Sequence, residues 1–276
     1  MRSNPPTPCD GPNRAGRLLV LVLALVLPLV GPGCAPPNDR GGSGPGGRSQ
    51  MLGLKPDEEY ALGEKAYRQI LAEARSKNAL LPNDSRQLEL VTSVGMNIVD
   101  KSIRNELLMR EINLHLSGYR FKWEFNVINS RQINAFCLPG GKVAVYTGLL
   151  RIVENRDQLA TVLSHEIAHA LAHHSNERLT REESGRVGWL FNMAYDREQE
   201  SEADHIGLFL MTFAGYDPDE ALDFWQRMQQ ASQGGQLPEI LSNHPSDRRR
   251  IQQIRTWLPQ VKAAKYAYDH GRTVSR

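Results

Sequence analysis

The pattern that most constrains this chain is His165-Glu166-Ile167-Ala168-His169, set in the stretch from Leu159 to His174. No Gly or Pro interrupts Arg156 to Arg181. Leu159, Val162, Leu163, Ile167, Ala170 and Leu171 recur at spacings of three and four, the period of an amphipathic helix. Four residues of helix rise about 6 Å, a little more than one turn, so His165 and His169 share a face. Two imidazoles so placed can hold one zinc ion. Glu166 can reach a metal-bound water more easily than the metal, as the general base of a hydrolysis must. A lone histidine on such a helix is more often a core or surface residue; here two histidines, the glutamate between them and the helical context agree on a metal. His173 continues the face one turn further, too far for the same ion, and it and His174 are expected to be flanking polar residues.

A catalytic zinc needs a third protein ligand and one open position. The cysteines, Cys9, Cys34 and Cys137, offer neither a thiolate site nor a disulfide framework, so the ligand must be a carboxylate or a histidine. Asp196 is a good N-cap and Gly215 a good stop for a helix running to Ala214. That helix offers Glu198, Glu200, Glu202 and Asp204. Glu200 and Asp204 are four apart and share a face, so one can bind the metal while the other orients a ligand histidine; Glu202 points elsewhere. An acidic first turn also suits the helix dipole without any metal, so spacing favours Glu200 only modestly.

Elsewhere the pattern is mainly helical, with a small antiparallel sheet or hairpin beside the motif helix, an α+β arrangement. Asp57 can cap a helix to Leu80, and Asp84 or Ser85 one to about Ser102. Tyr119–Ile128 alternates like a strand. Gln132–Cys137 and Lys142–Thr147 bracket Leu138-Pro139-Gly140-Gly141 as a hairpin. Gly148–Val153 reads as a short helix. Pro218 opens another, to Ser232, and the last runs from Asp247 to Leu258. Residues 259–276 show no clear pattern and read as a tail. The basic run at Arg248-Arg249-Arg250 reads as a solvated face.

The first 33 residues read as a signal peptide: Arg14 and Arg17 precede thirteen apolar residues, Leu18 to Val30, too few to span a bilayer. Val30-Gly31-Pro32-Gly33-Cys34 resembles the lipobox of bacterial lipoproteins, which implies a lipid anchor on Cys34 and a periplasmic, membrane-anchored protein. Residues 34–50, rich in Gly, Pro and Ser, form a flexible linker, and because nine of the 16 prolines lie in the first 50 residues the domain boundary falls near residue 51. The domain then spans 51–258. Residues 1–33 hold Arg2, Arg14 and Arg17 against Asp10; setting them aside reduces the 33 basic and 31 acidic residues to 30 of each. A neutral domain gives no electrostatic case for nucleic-acid binding.

Taken together, Asn134-Ala-Phe-Cys-Leu-Pro-Gly-Gly141, Thr147-Gly-Leu-Leu150, His165-Glu-Ile-Ala-His169, Glu200-Ser-Glu-Ala-Asp204 and His244-Pro245 resemble the membrane-associated zinc endopeptidase family that includes the CAAX prenyl protease, and most of all its soluble periplasmic and mitochondrial quality-control branch. The resemblance covers about Asp57 to Leu258. It implies a zincin-like fold, one zinc per chain held by His165, His169 and Glu200, Glu166 as base and Asp204 behind a ligand. It further implies a cleft lined by Asn134, Phe136, Pro139, Gly140 and Gly141, with an extended peptide added as a strand. One departure is the His169–Glu200 interval, shorter than in that branch. His244, before a proline, is a surface residue, a removable fourth ligand or an oxyanion donor; Tyr146 and Asn134 are weaker candidates for substrate contact. The expected activity is zinc-dependent hydrolysis of misfolded or stalled cell-envelope proteins. The alternative is a chaperone or assembly factor for outer-membrane proteins with little or no proteolysis.

Overall fold

The computed structural model describes residues 38–39, 48–182, 195–232, 239–244 and 248–271. Cys34, the apolar run and most of the linker lie outside them. The elements, in order, are β1 (Asn38–Asp39), β2 (Met51–Leu52), α1 (Pro56–Ser76), α2 (Arg86–Ile98) with a π turn at Val99–Ile103, α3 (Glu106–Glu111), β3 (Glu124–Ile128), β4 (Ala135–Leu138), β5 (Lys142–Tyr146), α4 (Thr147–Leu150), α5 (Arg156–Leu171), α6 (His174–Glu182), α7 (Arg197–Phe213), α8 (Asp219–Ser232), α9 (Glu239–Asn243) and α10 (Arg248–Asp269). The fold is mainly helical with a three-stranded sheet, as expected.

Helix α5 is the centre of the domain. Asn155 caps it, its side chain accepting from the Gln158 N–H (2.8 Å). Every residue from Gln158 to Leu171 is buried. The expected apolar stripe is therefore only part of the story: α5 is enclosed on all sides, and its polar residues must find partners inside the protein. Helix α7 crosses it closely. A methyl group on Gly207 would sit 3.2 Å from the His165 backbone nitrogen. Glu200, Asp204 and Gly207 lie at spacings of four and three on one face, so the glycine that admits the backbone of α5 also brings both carboxylates to the histidines.

The sheet has the order β3-β5-β4. The β4–β5 hairpin is antiparallel, as expected, with Ala135 opposite Val145 and Leu138 opposite Lys142. The sheet as a whole is mixed, not antiparallel: β3 runs parallel to β5. The reason is that the chain leaves β3, forms β4 on the far side and returns through β5 in the middle. Ala135, Cys137, Val143 and Val145 join the core around α5, while Phe136, Leu138 and Ala144 pack with Ala66, Tyr67 and Leu71 of α1.

Several boundaries differ from the sequence reading. Helix α1 begins at Pro56 and ends at Ser76; Lys55 and not Asp57 stands at its N-cap, donating its N–H to Glu58 Oε2 (2.8 Å), and Leu80 instead forms a bridge with Ile128. The motif helix stops at Leu171, because His173 adopts a left-handed conformation (φ +56°). Such a residue just past a helix end satisfies its last carbonyls, and here His173 is held by Glu59 Oε1 at Nδ1 (3.0 Å) and stacks on Tyr119 at 3.7 Å. Helix α10 does not end at Leu258; it carries Pro259 within it and runs to Asp269, burying Val261 and Ala264. Among the described residues no helix is long and apolar enough to cross a membrane.

The hairpin turn is clamped against α1: a methyl on Gly63 would lie 2.1 Å from the Pro139 carbonyl oxygen. Gly63→Ala must therefore displace the turn, and we expect it to cost about 1–3 kcal/mol, measured by denaturant unfolding against the wild type. An unchanged midpoint would show that the contact is slack.

Candidate metal centre

Four side chains converge where α5, α7 and α9 meet. His165 Nε2 and His169 Nε2 are 3.1 Å apart. His244 Nδ1 lies 3.1 Å from His165 Nε2 and 2.8 Å from Glu200 Oε1. Glu200 Oε1 is 3.3 Å from His169 Nε2, and Oε2 is 3.5 Å from His165 Nε2. All four residues are buried and their donor atoms fall within 4.8 Å of one another. Zn–N bonds of about 2.0–2.1 Å imply tetrahedral edges of roughly 3.3 Å, close to these separations. The donor set suits zinc: imidazole nitrogens and one carboxylate, with no room for the six to eight oxygens that calcium takes.

Partners behind the cluster fix each donor. Asp204 Oδ1 sits 3.0 Å from His165 Nδ1. The Arg250 guanidinium donates to Asp204 Oδ1 (2.6 Å) and to Glu200 Oε2 (3.1 Å) and lies 3.5 Å over the Trp225 ring. Tyr195 stacks on His169 at 3.8 Å. Burial holds the His169 and His174 imidazoles below the ordinary histidine range. His165 is different: burial and Arg250 oppose its charge, but Glu200 and Asp204 raise it to about 9. Against the cost of burial, His244 and His165 keep Glu200 well below the usual carboxylate range, so it is present as an anion. Burial pushes Glu166 up. Its Oε1 is buried with no hydrogen-bond partner among the described residues and lies 3.4 Å from His244 Nε2.

The sequence reading brought His165, Glu166, His169, Glu200 and Asp204 to one place and left His244 open; the structure gathers all six. It missed four others. Arg250 is not on a solvated face but 4% exposed and inside the site. His173 and His174 are more than flanking polar residues: both are buried, and His174 Nδ1 meets His169 Nδ1 at 2.8 Å. Glu202 points to His174 Nε2 (2.9 Å) and Arg48 (2.9 Å). Pro139, Gly140 and Gly141 do not line an open cleft. They are buried under Gly63, Tyr60 and Trp123. Asn134 and Phe136 do border a cavity of about 370 Å³, together with Tyr146 and Glu239, which none of the four donor residues lines.

Strand β4 presents its outer edge toward this region. The Tyr146 N–H donates to the Asn134 carbonyl (3.0 Å). Hydrogen-bonded and non-bonded pairs alternate along an antiparallel ladder, so Ala135 and Cys137 direct their backbone polar groups away from β5. Among the described residues no strand pairs with that edge. Helix α9 lies at its start, the Ile240 N–H donating to the Ile133 carbonyl (3.0 Å).

Residues 101–187 and 184–258 match the peptidase family M48. The chain belongs to that family. Its members are zinc metallopeptidases, and the donor set described above fits the metal. The chain is 34% identical to the mitochondrial metalloendopeptidase OMA1 of Schizosaccharomyces pombe, over 77% of this chain and 65% of that protein. It is 31% identical to the Saccharomyces cerevisiae protein of the same name, over 78% and 68%. It is 26% identical to the beta-barrel assembly-enhancing protease of Escherichia coli, over 78% of this chain and 47% of that protein. The chain thus spans from about half to two thirds of these relatives. They correct one expectation. A bacterial periplasmic lipoprotein is not supported: the relatives at 31–34% identity are named as mitochondrial, and the bacterial one matches at lower identity.

Three of the four donors sit on two long, tightly packed helices, and the fourth follows a five-residue helix. We therefore expect His169→Ala and Glu200→Ala to lose stoichiometric zinc in metal analysis of the purified protein, while His244→Ala keeps it. Loss of zinc from His244→Ala to the same extent would mean that all four donors are needed equally.

Proposed function

We propose that the chain is a zinc-dependent endopeptidase acting on extended segments of misfolded or stalled proteins. One observation carries this reading: a buried glutamate oxygen, Glu166 Oε1, with no hydrogen-bond partner among the described residues, beside four metal-competent donors. An unsatisfied buried acceptor costs about 1–3 kcal/mol or more, a cost that makes sense where the group is kept for a proton. In this reading His165, His169 and Glu200 hold the ion, and Asp204 and Arg250 hold His165 and Glu200 in place. Zinc, when bound, lowers the pKa of a water and polarises the scissile carbonyl. Glu166 takes the proton of the attacking water and gives it to the leaving amine.

The substrate backbone adds to β4 as a strand, using the Cys137 N–H and the Ala135 and Cys137 carbonyls, since the Ala135 N–H is held by Asn134 Oδ1 (3.0 Å). Such an edge selects extended, unfolded segments and reads little side-chain identity. A catalytic zinc keeps one position open, whereas here four protein donors converge. His244 is the one to leave, since it follows the short α9 and stands between Glu200 and Glu166. Its withdrawal, with α9, would clear both the fourth position and the start of the β4 edge.

A second reading has its own observation. With His244 seated, the cluster is complete and closed, which suits a protein that binds unfolded chains or assists assembly and seldom cuts them. Digestion of casein separates the two. The peptidase reading predicts cleavage by wild type that a chelator abolishes, and a loss of about 10²–10⁴-fold in kcat for Glu166→Gln. Equal behaviour of wild type and Glu166→Gln toward casein would leave the binding reading standing alone.

A further inference from the structure

The two motif histidines are oriented by different means. His165 Nδ1 faces a carboxylate directly, Asp204 Oδ1 at 3.0 Å. His169 Nδ1 faces another imidazole, His174 Nδ1 at 2.8 Å. His174 Nε2 in turn lies 2.9 Å from Glu202 Oε2. Glu202 Oε2 also accepts from Arg48 Nε (2.9 Å), and the two terminal nitrogens of Arg48 donate to Glu177. His174 and His169 are 0% exposed, so water does not substitute for the contact between them.

Only one order of protons satisfies this chain. His169 Nε2 points into the cluster, 3.1 Å from His165 Nε2 and 3.3 Å from Glu200 Oε1, and a ligand nitrogen presents a lone pair. A neutral His169 therefore carries its proton on Nδ1. That proton is donated to His174 Nδ1. A neutral His174 then carries its own proton on Nε2 and donates it to the Glu202 carboxylate. Reversing the order would aim an N–H of His169 at His165 and set a bare nitrogen of His174 against a carboxylate oxygen at 2.9 Å. The backbone is arranged for this contact. The left-handed turn at His173 (φ +56°) ends α5 and starts α6 at His174, and Gln50 Nε2 ties the turn down by donating to the Ala172 carbonyl (2.8 Å).

We propose that His174, seated on Glu202 and Arg48, is a positioning residue that fixes the tautomer and ring orientation of His169 as a zinc ligand. The proposal rests on the zinc reading of the cluster. His174 touches no reacting atom; it acts through His169. Partners of this kind are typically worth about 10–100-fold in metal affinity or activity.

The test compares His174→Phe, which keeps a ring but no nitrogen, His174→Asn, whose amide oxygen can accept where Nδ1 does, and Glu202→Gln, which keeps shape but not charge. Zinc affinity is measured by competition with a chromogenic chelator, and folding by the melting temperature of the zinc-free protein. We expect His174→Phe to weaken zinc binding by about 10–100-fold, His174→Asn to recover most of that loss, and Glu202→Gln to weaken binding with little change in zinc-free melting. Wild-type affinity in folded His174→Phe and Glu202→Gln would overturn the proposal. If His174→Phe does not fold, Glu202→Gln decides alone: weakened zinc binding supports the relay and unchanged binding overturns it. A wild type that binds no zinc would instead sink the reading of the cluster itself.

Discussion

Lone pairs crowded together in a buried cluster are the constraint on which this structure depends. Two imidazole nitrogens 3.1 Å apart, a third as close to one of them and a carboxylate at 2.8 Å from it are all buried. Buried polar atoms of one kind do not gather without a compensating donor or cation. The Arg250 guanidinium answers part of the problem by donating to Glu200 Oε2 (3.1 Å), and protonating the imidazoles would set like charges against one another. A single divalent ion answers all of it. Helices α5 and α7 must approach closely for such a grip, and Gly207 makes that approach possible at the level of His165.

Around the donors lies a second ring of charge that holds them in place, Arg250 by a direct hydrogen bond to Glu200 Oε2 (3.1 Å). Asp204 and Arg250 serve one side, and His174, Glu202 and Arg48 the other. The two sides draw on distant parts of the chain: Arg250 comes from α10 and Arg48 from the stretch just before β2. Both ends of the domain therefore contribute to the shape of the site. The exception is His244, which follows a short helix bonded to the start of β4 and is thus the donor with the least rigid support. Closure of the fourth position and obstruction of the β4 edge are consequences of the same few residues.

Much of this was legible in the chain. The motif helix, the β4–β5 hairpin and the Asp196 cap of α7 all follow from local signals, because caps and turns are local chemistry. The glutamate and aspartate four apart could be placed on one face, and the glycine three residues on, at Gly207, was a signal of close approach that went unread. What sequence did not reveal was set by tertiary contact. Arg250 looked like one of three solvated arginines, and only the packing of α10 on α7 turns it inward. His173 sits in a left-handed conformation that carries no glycine to announce it; Glu59 and Tyr119, far upstream, hold it there. That single bend sets His174, expected only to flank the motif, against the back of His169. The parallel pairing of β3 with β5 likewise depends on long-range order that strand periodicity does not encode.

X-ray absorption at the zinc edge of the full chain tests the central claim most directly. The account predicts a four-coordinate first shell of imidazole nitrogens and one carboxylate oxygen at about 2.0–2.1 Å, with multiple-scattering features of three histidines. A shell made mainly of water or other oxygens, or one with no histidine scattering, would contradict it.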